Sequence, residues 1–351
     1  KSCNVYGDFS SGSCLIFPAQ KSGGKIDLYV NSMVRTVTTN NEGKATGVSF
    51  IDKDENKEYK LKGKVVVLAA SACSSARILL NSKSKQHPNG LGNSSDLIGK
   101  YLHDSTGGDM MAFIPELIDR KTYNEDGVGG MHVYSPWWLD NKKLDFPRGY
   151  HIEVWGGMGA PTYGTGFNVN SFNKFFGINK AGGYGNVLRS DMKKYYGSTI
   201  GVSGRGESVA QKSNYCEIDS NIVDKYGVPT LRFNYQWTDN EIKQAKHMQD
   251  TFEEIIHNMG GIPLWNKPGK DANYGLNKPG WIIHEVGTTR MGNNPKTVTN
   301  QFERLHDVNN VFVVDAGPFV SQADKNPTWT ILALAMRSSE HIVNEFKKQN
   351  F

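Results

Sequence analysis

The chain has 351 residues, 38% hydrophobic and 21% charged, the balance of a globular protein long enough for two domains. Its net charge of +5 comes without a block of five or more like charges, so nucleic-acid binding is not expected. No apolar run approaches the ~18–20 residues of a membrane span, and Cys3, Cys14, Cys73 and Cys216 form no CxxC pair, which argues against a zinc site.

Residues 1–24 are rich in Gly and Ser, and Cys3 and Cys14 within them either bridge a short loop or stay as thiols. Residues 25–30 alternate with period two, which predicts a half-buried strand. Residues 40–43 are a turn cluster. Residues 45–51 predict a second strand with Thr46, Val48 and Phe50 on one face. Residues 57–61 and 64–70 predict two more, the last apolar throughout at 65–68. Small residues at 69–72 then lead into a predicted helix at 74–80. Small side chains at such a turn let the backbone approach a ligand, and equally let a helix pack closely on a strand. Asn93-Ser94-Ser95 matches a glycosylation acceptor, a pattern frequent by chance.

Beyond His103-Asp104 the composition turns rich in aromatics and glycine. Strand-like runs at 149–155 and 230–235 suggest an antiparallel sheet with long loops over 105–237, hence a separate domain. On such a sheet Glu153, Trp155 and Arg205 face either a substrate or solvent. Thr238 and Glu241 form a capping-box pattern. It opens a helix carrying Ile242, Ala245, Met248, Phe252, Ile255, Ile256 and Met259 near helical spacing, closed by Gly260-Gly261. Residues 311–314 predict a strand buried on both faces. Asn326 is the expected N-cap, with Pro327 at the first helical position, of a helix running to about Lys347.

No HExxH, EF-hand or GxSxG pattern occurs. The informative segment is 281–292, Trp-Ile-Ile-His-Glu-Val-Gly-Thr-Thr-Arg-Met-Gly. A lone histidine after two isoleucines is, by itself, more often a satisfied core residue than a catalyst. Here His284 precedes a Gly-Thr turn, and Asn326 follows further on at the start of a helix. His103 and His306 lie near these segments, the latter in a polar loop that suggests a structural role.

That combination resembles the glucose–methanol–choline (GMC) family of flavin-dependent oxidoreductases. The family pattern is His-x-x-Gly-Thr-x-Arg-Met-Gly, then a strand ending in Asp-Gly or Asp-Ala, then Asn-Pro-Thr-x-Thr. It stands here at 284–292, 311–316 and 326–330. Residues 64–80 are similar to the family's adenine-side strand and helix, and 91–104 to the segment leading into its substrate domain. The resemblance runs from about residue 20 to the end. It implies a fold of mixed class, α/β and α+β: an incomplete FAD-binding Rossmann-like domain plus a substrate domain with an antiparallel sheet flanked by helices. The expected division is 1–104 and 281–351 for the FAD-binding part and 105–280 for the substrate part.

The resemblance also implies site roles. His284 is the base for a substrate hydroxyl, and Asn326 shares its site. Val34 and the turn Ala70, Ser71 and Ala72 lie at the adenine end of FAD. Asp315 and Ala316 lie along its ribityl and pyrophosphate part. Asn326, Pro327 and Thr328 present a helix start to its pyrimidine end, an electrostatic contribution of ~0.3–2 kcal/mol. A neutral imidazole suits the chemistry, since oxidising an alcohol removes a hydroxyl proton as well as a hydride. The implied substrate is a small sugar or polyol; the electron acceptor, and with it oxidase against dehydrogenase, is left open. A non-catalytic carbohydrate-binding module and a lyase on the same site are the alternatives. The compartment is left open, a soluble cytoplasmic or periplasmic protein being expected.

One departure stands out. A G-x-G-x-x-G unit with its strand is not found; Gly164-Thr165-Gly166 and Gly183-Tyr184-Gly185 do not complete it. The expectation is therefore the carboxy-terminal part of a longer enzyme, in which these residues alone hold FAD weakly.

Overall fold

The computed structural model describes residues 9–120, 132–135, 143–156 and 185–351. The glycine-containing runs at 164–166 and 183–184 lie outside the described residues, as does Cys3; Cys14 carries a free thiol. After a short helix, α1 (Phe17–Lys21), comes a three-stranded antiparallel meander of β1 (Ser32–Thr39), β2 (Ala45–Asp52) and β3 (Lys57–Lys62). The strand expected at 25–30 is not formed. Ile26, Leu28, Tyr29 and Val30 are exposed, and Asn31 at φ 55° turns the chain before β1 starts. Alternation there had no partner edge to use; β2 pairs with the next segment, where Val37 reaches the core. On β2, Thr46, Val48 and Phe50 share one face, as expected, and it is the less buried one. Ala45, Gly47, Ser49 and Ile51 are buried, while Phe50 stacks outside against Tyr59 with ring centroids 5.9 Å apart. Gly47 decides the face: a Cβ there would meet Leu61 O at 2.0 Å.

β4 (Val66–Leu68) pairs in parallel with β12 (Val311–Val313), Val66 opposite Val311 and Leu68 opposite Val313. The helix α2 (Ala72–Asn81) follows β4 directly and buries Ala76, Ile78, Leu79 and Leu80 against Val37, Val66, Val311 and Val313. A hairpin of β9 (Tyr215–Val223) and β10 (Pro229–Asn234) joins this core through Cys216, Ile218 and Leu231. Arg77 fastens it: Nε donates to Pro229 O at 2.7 Å, and Nη2 reaches Asp224 and Val228 O, both at 2.8 Å.

The second sheet has strand order β11-β5-β8-β7-β6, all antiparallel: β5 (Thr106–Phe113), β6 (His132–Ser135), β7 (Tyr150–Gly156), β8 (Thr199–Gly206) and β11 (Ile262–Pro263). A short helix, α3 (Asn186–Tyr195), precedes β8. The helix α4 (Asp239–Asn258) covers one face, setting Ala245, Met248, Phe252 and Ile256 near or against Met110, Ala112, Tyr150, Ile152 and Val202. Full burial of Met248, Phe252 and Ile256 contributes roughly 1.5–3 kcal/mol each. The expected capping box is present, with Thr238 N donating to Glu241 Oε2 at 2.8 Å. Strand alternation then leaves His151, Glu153 and Trp155 on the face away from α4.

The last helix, α5 (Thr328–Lys347), starts later than expected. Pro327 occupies the N-cap position and no side chain caps the helix. Asn326 is not the cap; its amide points elsewhere, as described below. Ser338 is the buried residue of α5, while Trp329 (86% exposed), Met336, Val343 and Phe346 face outward. Among the described residues no helix is long and apolar enough to cross a membrane.

Candidate active site

The site is assembled around a buried carboxylate. Asp104 precedes β5 and is almost fully enclosed. Its Oδ1 accepts from Ser105 N at 2.7 Å and His284 N at 3.0 Å, and its Oδ2 accepts from Gly280 N at 3.1 Å. One side chain thus ties 280–284 to the start of β5. Burial pushes the carboxyl up to about 6, against the pull of these N–H donors. Ile283, inside the tied stretch, has φ 60°. A β-branched residue in that region is strained, and such strain persists only where neighbours over-determine it. On the other side of His284, Gly287 at φ 94° passes so close to Tyr101 O that a Cβ would lie 2.4 Å from it. Thr288 Oγ1 donates to Ala72 O at 2.6 Å, locking the Gly-Thr turn to the start of α2.

Held from both ends, the half-buried His284 offers two addressed ring nitrogens. Nδ1 is 3.3 Å from Ser105 Oγ, and Nε2 is 3.4 Å from Asn326 Nδ2. The structure therefore brings together the two residues that the sequence paired. Gln322 Nε2 donates to Ser105 Oγ at 2.7 Å, extending the network inward. Burial, then the positive charge of Arg205, lowers the His284 imidazole below its ordinary value, so it is neutral at physiological pH.

The face of the second sheet away from α4 carries groups whose charge reaches this histidine, Arg205, Glu153 and His151 among them. His151 on β7 stands opposite Arg205 on β8, and Glu153 opposite Ser203. His151 Nε2 is 2.9 Å from Glu153 Oε1, and Trp155 Nε1 donates to Ser203 Oγ at 2.8 Å. Of the sequence candidates here, Glu153 is buried beside His151 and Trp155 is half-buried, so neither lies on a bare solvent face.

Of the residues expected around the cofactor, Ala70–Ala72 and Asp315–Ala316 follow the carboxyl ends of the parallel strands β4 and β12, where ligands of such sheets bind, while Val34 lies in β1 and Asn326–Thr328 at the start of α5. Val34 and Ala70 line one cleft of about 500 Å³ with Met33, Leu68, Ser74 and Arg77. Ser71, at φ 80°, starts α2 without a side-chain cap, as Pro327 does for α5. Asn326 and Pro327 line a second cleft of about 300 Å³ with Gln322, Lys325 and Thr330; Thr328 is exposed beside it. Asp315 is buried: Oδ2 accepts from Ser75 Oγ at 2.5 Å and Oδ1 from Gly317 N at 2.8 Å. Its carboxylate joins β12 to α2, and burial raises it above the usual carboxylate range. Ala316 packs with Ala72, Val286 and Phe319.

The two histidines that lie near the motifs in sequence, His306 and His103, are structural in setting. His306 Nε2 lies 3.1 Å from Gly292 O and 3.2 Å from Thr297 Oγ1. His103 is fully buried under Gly287, its Nδ1 2.7 Å from Tyr101 O, and burial pushes it down to about 4. Sequence reasoning missed Asp104, Ser105, Gln322 and His151. The signal for His151 was available: 149–155 reads as a strand, and 151, 153 and 155 share a face by period two. Nothing local marks the other three, which act through contacts more than 170 residues apart in the chain.

Two models, both described as GMC oxidoreductase, match the chain, one over residues 5–106 and one over 210–335. The 2-methyl-1,2-propanediol dehydrogenase of Mycolicibacterium austroafricanum is 30% identical over 91% of this chain and 55% of its own length. The fructose dehydrogenase large subunit of Gluconobacter japonicus is 24% identical over 97% of this chain and 58% of its own. The gluconate 2-dehydrogenase flavoprotein of Pantoea cypripedii is 25% identical over 99% and 57%. The chain thus spans a little over half the length of these relatives. Among solved structures, the formate oxidase of Aspergillus oryzae matches with a TM-score of 0.61 at 14% identity, over 90% of this chain and 60% of that one.

Proposed function

This chain belongs to the GMC oxidoreductase family, and from that premise we propose that it works in an FAD-dependent enzyme oxidising a CH–OH group of a small sugar or polyol. The observation that carries the reading is the pairing of His284 with Asn326 at 3.4 Å, near the polar residues on the face of the second sheet away from α4. The dehydrogenases named above, for a diol and a sugar among others, support the substrate class.

The residues present fit FAD at both ends of its path. The cleft beside Val34 and Ala70 takes an adenine, and the uncapped starts of α2 and α5 leave backbone N–H groups for anionic parts of the cofactor. Asp315 and Ala316 fit less directly, because the Asp315 carboxylate is already engaged by Ser75 and Gly317; their part is to shape the floor. When bound, FAD supplies the acceptor for the hydride. The chain's own residues do the rest. His284 Nε2 accepts the hydroxyl proton, Asn326 orients the hydroxyl through its amide, and the Asp104 carboxylate keeps the His284 backbone in place.

The test is anaerobic bleaching of flavin absorbance in the flavin-loaded protein with a panel of sugars, diols and simple alcohols. A sugar or polyol is expected to bleach it. His284→Ala is expected to slow bleaching by ~10²–10⁴-fold, the usual worth of a positioned general base. A rate that barely moves overturns the assignment.

A further inference from the structure

The stretch between β12 and α5 holds three alternating polar residues, and each reaches a different element. Gln322 binds Ser105 Oγ at 2.7 Å, Asp324 Oδ2 lies 3.5 Å from His151 Nδ1, and Asn326 Nδ2 lies 3.4 Å from His284 Nε2. His151, on the sheet, is fully buried, and its other nitrogen is 2.9 Å from Glu153 Oε1. Both imidazole nitrogens therefore face carboxylate oxygens. Either neutral tautomer would set a lone pair against one carboxylate; the protonated ring hydrogen-bonds Glu153 through Nε2 and faces Asp324 across 3.5 Å as an ion pair.

We propose that His151 is a standing imidazolium that clamps 322–326 to the face of the sheet away from α4, and so holds Asn326 against His284. Its surroundings favour the charge. Tyr134 from β6 stacks on the ring with centroids 5.1 Å apart, Glu153 and Asp324 flank it, and Arg205 and Lys325 are the neighbouring cations that oppose it. Burial also opposes protonation, and the two carboxylates outweigh it, leaving the imidazole raised above its ordinary value. The same positive charge reaches His284 and helps to keep that imidazole neutral. His151 is thus a positioning residue. The inference rests on the oxidoreductase reading for the meaning of His284, but the clamp itself does not.

The experiment is an NMR titration of imidazole signals, with amide exchange, on the full 351-residue chain without added flavin. His151 is expected to remain protonated through pH 7. His151→Gln is expected to raise the His284 midpoint by roughly 0.5–1 pH unit, the size of one screened charge removed, and to expose the amides of 322–326. Asp324→Asn, nearly isosteric, is expected to lower the His151 midpoint and expose the same amides, while signals of Met248 and Phe252 on the far side of the sheet stay in place. If His151→Gln fails to fold, the charge of the native His151 and the Asp324→Asn result decide. A neutral His151 at pH 7, or unchanged 322–326 exchange in Asp324→Asn, overturns the proposal. A chain that passes this test but whose flavin no alcohol bleaches keeps the clamp and loses the oxidation reading.

Discussion

His284 acquires its place from residues that do not touch substrate. The Asp104 carboxylate gathers three backbone N–H groups, and two of them belong to the stretch carrying the histidine. Asp104→Asn turns one acceptor into a donor facing an N–H, and is expected to cost about 1–3 kcal/mol in denaturant unfolding. Burial holds this carboxyl at about 6, above its value in an unfolded chain. A folded-state value raised in this way means that the native state binds the proton more tightly. Its contribution to stability is therefore greatest in acid and falls as pH rises from about 4 to about 6. The stability difference between the native chain and Asp104→Asn should change across that window and be flat above it; a difference that is constant from pH 4 to 7 refutes the assignment. The opposite sign applies to activity. His284 acts as a base only when neutral, and burial and Arg205 lower its titration. Alcohol-dependent flavin reduction should rise with pH to a plateau, with its midpoint below the ordinary imidazole value. A profile still rising well above neutrality excludes His284 as the titrating group.

At the scale of elements, the two helices differ in how their starts are used. α4 is closed by its capping box, so Thr238→Ala should lower stability by ~0.5–2 kcal/mol in thermal or urea unfolding, without moving the His284 titration. α5 has no cap, and Asn326, which propensity marks as an N-cap, turns its amide to His284 instead. That exchange explains what the sequence could and could not reveal. Local rules were enough for α4, whose cap, apolar spacing and glycine stop all lie within the helix and its flanks. They were enough for β4, α2 and β12, where apolar runs and small residues are contiguous. They misassigned 25–30, because alternation marks a strand only where an edge is free to pair. They grouped Thr46, Val48 and Phe50 on one face of β2 without saying which face is buried, because Gly47 against Leu61 decides the burial and a single glycine carries no period. The motif fixed His284 and Asn326 as a pair; the carboxylate that holds one and the imidazole that steadies the other are brought in by the second sheet, and no spacing along the chain announces them.

For the whole molecule, the parallel pair is the closing contact. β4 and β12 meet across the length of the chain, and Ser75 and Asp315, which lock them, are 240 residues apart. Everything between must be made and folded, or at least kept out of the way, before this contact can form. At ~5–20 residues per second, synthesis of that interval takes roughly 12–50 s. During it, β4 waits for β12, its sheet partner among the described residues, and long-range pairing of this kind is slow to find. The vulnerable time of this protein is therefore its birth. Chaperone crosslinking to nascent chains should peak once 65–68 has emerged and fall when 311–313 appears; crosslinking that ends earlier would mean that β4 finds shelter within the first half.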